Sequence, residues 1–374
     1  MTADADRCFL TRPEEFRDVS RGKPKPYTLK GEALVQARLT PETWRLEIVS
    51  DGTTKIASPR TLQDGTAIDM ATLEDLGRRH GIKFLKAMQC LNIAQPLGQG
   101  LWEGVPLREV LKLAGKPGNI RRVYHWGFHN NDPAQVFQSS LGYNQVMETP
   151  PWDLPPFIAY RLNGRPIPIV RGGPARIIVP WAHGFKSIKW LQRITLTNDF
   201  KANDTYANDN NDPDSYLKTA AYLDGDEQSF KAGERIVIRG TAMVGWSGLK
   251  RVEYWLRPDT GKHGELAEDD PLWKTAPWKP AVIAPPPADW GGNLPDGVMP
   301  SDIWGFDRKT GLPKEWPMRF SVAHWTVPLE GLAPGAYEFR ARAVDLNGFA
   351  QPEPRPYLKS GRNLVQCKQF LVTA

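Results

Sequence analysis

The stretch KANDTYANDNNDPDSYLKT, residues 201–219, constrains the fold more than any other, because the chain changes character across it. Asn and Asp bond their own nearby backbone and so favour turns, which makes a run of them a junction between units. Ahead of it, strand-like and helix-like segments alternate. Behind it, RIVIRGTAMV, KRVEYWLR, HWTVPL and AYEFRARAVDL each alternate apolar with polar and each ends in turn residues, the pattern of a β-sandwich.

The first part reads as mixed α and β. Trp44 to Val49 alternates and stops at Asp51-Gly52, as a half-buried strand does. Met70, Leu73 and Leu76 recur at helical spacing, with Gly81 after the last of them, which predicts a short helix over 70–81. PLREVLKLAG repeats that pattern, IRRVYHWGFH resumes a strand, and Asn163-Gly164 lies between two short runs as a hairpin turn does. ARIIVPW is a continuous apolar run, as in a buried strand. Residues 1–39 are weakly patterned and predict an extended arm laid on the surface. Residues 40–205 then form one mixed domain, 206–228 a linker, and 229–374 the sandwich, interrupted by a Pro- and Trp-rich insertion over about 259–317 that we expect to be an ordered excursion.

A chain of 374 residues is long enough for two cores. No run approaches the roughly 18 apolar residues of a membrane helix, and MTADADRCFL lacks a secretory pattern, so no membrane insertion is expected. The net charge of +6 is spread along the chain, where nucleic-acid binding calls for dense basic patches. It suits an anionic small ligand or an acidic protein partner.

Cys8, Cys90 and Cys367 are too few and too scattered for a disulfide framework or a Cys-x-x-Cys metal site. Cys367, in LVQCKQFLV, reads as a small buried residue of a strand. Cys90 ends a run and opens a glycine-bearing loop, where a thiolate can meet a ligand above the strand ends, as a metal ligand or a nucleophile. Farther on, Gly184, Lys186, Ser187 and Lys189 follow a buried strand and bring together small residues, a hydroxyl and two cations, which suits a phosphate. A surface hairpin with solvated charges is the alternative.

RGGPARIIVPWAHGFKSIKWLQRI, Arg171 to Ile194, resembles the cofactor segment of the sulfite oxidase family of molybdenum enzymes: Gly-x-Pro-x-Arg, an apolar strand, Pro, then Gly and Lys-Trp-Leu. Gln89-Cys90 with the following Asn92, and LWEGVPLREVLKLAG, resemble that family's metal-ligating loop and the helix after it. GTAMVGWSGLKRVEYWL, YEFRARAVDLNGFAQP and SGRN resemble its C-terminal domain. The resemblance implies an α+β chain, a mixed α/β sulfite-oxidase-type molybdopterin domain followed by an immunoglobulin-like β-sandwich that forms a homodimer. It implies molybdenum and molybdopterin, a pyranopterin, as cofactors, with Cys90 as the protein thiolate on the metal. Arg171, Arg176, Gly184, Phe185, Lys186, Ser187 and Lys189 would line the pterin and its phosphate, and His129, Asn130 or Asp132 would add a polar contact. Such a centre needs anionic sulfur, which one cysteine and the pterin supply, while the cofactor carries the chemistry.

The pattern departs from the family at the substrate. The family follows its cysteine with paired arginines; here CLNIAQ puts Ala94 and Gln95 in their place, and Gly31, Glu32 and Ala33 stand where Arg-Asn-His is expected. Paired arginines are the geometrically specific way to hold a small oxyanion, so sulfite and nitrate lose their best-supported mode. Tyr206 and Asn208 resemble a stretch of the methionine-sulfoxide reductase branch, and Arg362 of SGRN matches an arginine that the C-terminal domain brings to the site; Tyr206 and Arg362 join Cys90 as catalytic candidates. The expectation is an oxidoreductase on a small substrate, passing electrons to an external protein such as a cytochrome, since the chain carries no haem or iron–sulfur motif. A sulfoxide-type reductase is the alternative on the same fold. A non-enzymatic module binding through Trp273, Trp278, Trp290, Trp304 and Trp316 is the alternative from another class. The resemblance also implies export to the periplasm with the signal absent from this chain, against a cytoplasmic alternative.

Overall fold

The computed structural model describes residues 9–19, 24–90, 93, 95–128, 137–202, 214–225, 228–259, 261, 266–353 and 363–374. The main strands of the first unit are β1 (Arg45–Ser50), β2 (Ile82–Met88), β3 (Gly98–Pro106), β4 (Arg122–Gly127), β5 (Gln138–Gly142), β6 (Phe157–Leu162), β7 (Arg176–Ile178) and β8 (Leu191–Thr197). They form two sheets. In one, β1 pairs parallel with β8, which pairs antiparallel with β4, and β4 with β5. In the other, β2, β3 and β6 run antiparallel in that order, and β7 adds to β6.

Local chemistry sets these elements. The helix Met70–His80 starts where Asp69 accepts the Thr72 amide at 2.9 Å and ends at Gly81, as its spacing predicts. It buries Leu73 and Leu76, and a Cβ at Gly77 would lie 2.2 Å from the Tyr160 hydroxyl, so glycine there makes room for the Tyr160 side chain. Asn163 and Gly164, with φ of 51° and 74°, turn β6 into the two-residue strand Arg165–Pro166.

The second unit is a sandwich. β9 (Ala220–Asp224), β10 (Ile236–Met243) and β12 (Val322–Leu329) form one sheet, and β11 (Arg251–Pro258), β13 (Gly335–Val344) and β14 (Gln366–Thr373) lead the other. Ile238, Val252, Trp325, Phe339 and Phe370 from both sheets meet in one core. β9 lies inside the stretch expected to be linker, because its apolar residues pair with β10 along its whole length. Cys367 is on a strand as expected, but its side chain is exposed: it alternates with the inward-facing positions that lead to Phe370.

Two expectations for the irregular segments are revised. The arm is not laid on the surface: Phe9, Leu10 and Phe16 are buried in the first unit's core, and Glu32–Gln36 is a helical turn. The insertion joins the same core through Trp290, Leu294, Ile303 and Phe306, and it lends a short strand to each sheet of the sandwich. Arm and insertion meet where the Leu10 amide donates to the Trp290 carbonyl at 2.7 Å and Phe9 packs edge-on against the Trp290 ring. The five insertion tryptophans are buried or half-buried against protein, Trp278 under Arg342 with 4.1 Å from the guanidinium to the ring centre, so they do not form an open aromatic face.

Asn163 joins these pieces. Its buried side chain accepts from the Leu101 amide at 2.9 Å and donates to the carbonyls of Thr11 at 2.9 Å and Gly292 at 3.0 Å, so hairpin, arm and insertion share one amide. Asn163→Ala strands one buried donor and two acceptors and is expected to lower stability by about 3 kcal/mol in urea unfolding. A change below about 0.5 kcal/mol would contradict this role.

Candidate functional site

β2 carries the chain to Cys90. Its last carbonyl, Met88, accepts the Leu97 amide at 2.7 Å, just before β3 begins. The next carbonyl, Gln89, accepts the Gly184 amide at 2.8 Å. Cys90, half-exposed, therefore stands one residue from the contact between its own loop and the 3-10 turn Gly184–Lys186. A Cβ at Gly184 would lie 3.3 Å from the Gln89 oxygen, tighter than ordinary packing, which favours glycine there.

The Gly184–Ser187 turn is not a surface hairpin. Lys186 is fully buried and donates to the Ser140 carbonyl at 2.8 Å, while its own carbonyl lies 3.1 Å from Nε2 of buried His125. Burial, then the neighbouring Lys186 charge, pushes His125 down to about 3, so its imidazole is neutral. The Ser187 hydroxyl accepts the Val179 amide at 3.1 Å. Arg176, on β7, donates to the carbonyls of Arg171 and Ser187, both at 2.6 Å, and lies over the Trp102 ring. Burial pushes it down to about 9.

The structure thus brings Gly184, Phe185, Lys186 and Ser187 together with Arg176 beside the Cys90 loop. Arg171 and Lys189 turn instead to the arm: Arg171 Nε donates to the Pro13 carbonyl at 2.6 Å, and Lys189 donates to the Tyr27 hydroxyl at 2.8 Å and pairs with Asp18 at 3.5 Å. His129, Asn130, Asp132, Ala94, Tyr206, Asn208 and Arg362 lie outside the described residues.

One contributor escaped the sequence reading. Lys86, on β2, is fully buried and donates to the carbonyls of Pro180 at 2.8 Å and Ala182 at 3.0 Å. Its signal was a cation amid the apolar residues of IKFLKAMQC, at a position in register with Phe84 and Met88. Among the described residues neither Lys86 nor Arg176 meets a carboxylate, an arrangement that costs free energy unless an anion is supplied.

Among the described residues, four buried polar atoms around these segments have no hydrogen-bond partner: Gln89 Oε1, Arg176 Nε, Trp181 Nε1 and His125 Nδ1. Folded proteins leave few such groups, so a concentration of them near a free cysteine and buried cations marks a place completed by another molecule. A group with an anionic end, several hydrogen-bonding edges and a thiophilic centre fits this donor set.

The comparisons agree with that class. Residues 33–205 match the oxidoreductase molybdopterin binding domain. The chain is 32% identical over 103 residues to the NADPH nitrate reductase of Fusarium oxysporum, covering 28% of this chain and 11% of that one. It is 33% identical over 101 residues to the sulfite oxidase of Gallus gallus, covering 26% and 21%. With the mitochondrial sulfite oxidase of Rattus norvegicus it shares 26% identity over 198 residues, covering 50% and 35%. These matches span only 11% to 35% of the relatives' lengths. The crystal structure of the sulfane dehydrogenase SoxCD from Paracoccus pantotrophus is similar over 95% of this chain and 89% of that one, with a TM-score of 0.59 and 17% identity, a likeness of fold. Residues 33–205 thus carry an oxidoreductase molybdopterin binding domain with molybdopterin as its cofactor, and the relatives and the fold support a molybdopterin oxidoreductase similar to the sulfite oxidases.

Lys86 also makes stability depend on pH. Burial, then the Arg176 charge, pushes it from 10.5 down to about 7. Between those values the unfolded chain binds a proton that the folded chain does not, so stability rises with pH across that window, and the full cost of burying the charge is present below it. The cofactor-free protein is therefore expected to gain stability from pH 7 to 9 in urea unfolding, and Lys86→Met to remove on the order of 2 kcal/mol of that gain. An identical slope in the variant would sink this assignment.

Proposed function

We propose that this chain is a molybdopterin-dependent oxidoreductase that transfers an oxygen atom or electrons at a small substrate not held as sulfite is, and that it passes electrons to an external protein such as a cytochrome. The observation that carries the reading is the apposition of Cys90, through the Gln89 carbonyl, to the Gly184 turn. Residues matched in the sequence to two separate family motifs meet there.

In this reading Cys90 supplies the protein thiolate, the positive charge of Lys186 and Arg176 favours the anionic end, and the open edges of Gln89, Trp181 and His125 orient the pterin. When bound, the cofactor supplies a metal that cycles between high oxidation states. The protein's own part is to fix that group and to keep water from its anionic end, since Lys186, Ser187 and Arg176 are all buried. Neutral His125 adds a hydrogen-bonding edge without further charge.

The substrate follows from what is missing. Ala94 and Gln95 take the place of a cation pair, so an oxyanion has no bidentate partner in that loop.

Metal and pterin analysis of protein expressed with cofactor supply tests the first part. Molybdenum near one per chain in the wild type, falling at least tenfold in Cys90→Ser, is expected; a wild type that never holds molybdenum rules the reading out. With the loaded protein and a chemical electron acceptor, sulfite turnover is expected to need millimolar substrate. Fast turnover at micromolar sulfite would place the anion-binding cations elsewhere.

A further inference from the structure

We propose that Lys86 is a positioning residue: its ammonium locks residues 180–184 against the strand that leads to Cys90, and so fixes the register between the thiolate and the cofactor-binding turn. The role rests on the reading of Cys90 and residues 184–187 as cofactor-binding.

The lock is visible in the backbone. Residues 180–182 are held from two sides: the Pro180 and Ala182 carbonyls accept from Lys86, whereas the Trp181 carbonyl between them accepts the Leu217 amide at 2.7 Å. Pro180 has no N–H to offer, and the Ala182 amide reaches only the Val179 carbonyl, at 3.3 Å. Without Lys86 two carbonyls of a fully buried stretch would lose their donor.

Two residues further, the Gly184 amide meets the Gln89 carbonyl. Lys86, on β2, and Gln89, just beyond its end, thus grip the same segment from two points, and Cys90 is the next residue after the second. Lys86 is itself held, since its carbonyl accepts from Trp102 Nε1 at 3.3 Å and the Trp102 ring carries the Arg176 guanidinium 5.2 Å from its centre. A displacement of residues 180–184 would therefore be felt at both the Cys90 side and the Arg176 side. The positive charge, unmatched by a carboxylate among the described residues, adds a preference for an anion nearby.

Lys86→Met removes the charge and its desolvation cost at nearly constant volume, so loss of fold is not the expected outcome; Lys86→Gln keeps an N–H donor and serves as the second variant. Hydrogen exchange of the cofactor-free proteins reads the lock directly. The Gly184 amide is expected to exchange at least tenfold faster in Lys86→Met and to an intermediate degree in Lys86→Gln, with β4 and β8 unchanged. Pterin content after expression with cofactor supply is expected to fall at least fivefold in Lys86→Met, and the molybdenum(V) paramagnetic resonance spectrum of the loaded fraction to shift.

Unchanged exchange at Gly184 would overturn the lock, whatever the cofactor does. Faster exchange with wild-type pterin content and an unchanged spectrum would overturn the positioning role and leave a structural one. A wild type that takes up no pterin, with exchange altered as expected, would overturn the cofactor reading and the positioning role with it while the lock stands.

Discussion

Cations buried among main-chain carbonyls set the terms for the rest of this structure. Lys86, Arg176 and Lys186 lie out of water and each donates to backbone oxygens, so each ties a loop to a strand and brings positive charge to the place where they meet. Such charges are costly to bury, and carbonyl dipoles repay only part of the cost. The fold tolerates them because the first unit's core is large, and in the proposed reading their charge favours an anionic guest.

That core is completed by segments remote in sequence. The arm and the insertion, which have little periodicity of their own, close over the sheet that carries Cys90 through Phe9, Phe16 and Trp290. Asn163 couples them with hydrogen bonds to Leu101, Thr11 and Gly292. The arm also engages Lys189 and Arg171 through Tyr27, Asp18 and Pro13, so two cations that sequence matching drew into the cofactor site are shared with the N-terminal segment. A cation can match a motif and still spend its hydrogen bonds on a neighbour that only folding supplies.

Much of this was legible before any coordinates. The helix after Asp69, the Asn163-Gly164 turn and the strands of the sandwich follow from periodicity and turn chemistry, which act over a few residues. Cys90 and the Gly184–Ser187 turn stood out as motifs because of their residue types at short spacing, and the structure brings the two segments together at Gln89 and Gly184. The burial of the arm, the start of β9 within the expected linker and the exposure of Cys367 were not, since each depends on what lies opposite in space.

By itself, the sequence determined the two-part organisation, the local elements and the residue types able to hold a metal and an anion. Tertiary structure alone decided that Gln89 would meet Gly184, that Lys86 would turn its ammonium onto Pro180 and Ala182, and that Lys189 would face the arm. The physical reason is that a buried cation has no local signature of its partner: its energy is set by carbonyls about ninety residues away along the chain, which packing of the whole core brings within 3.0 Å.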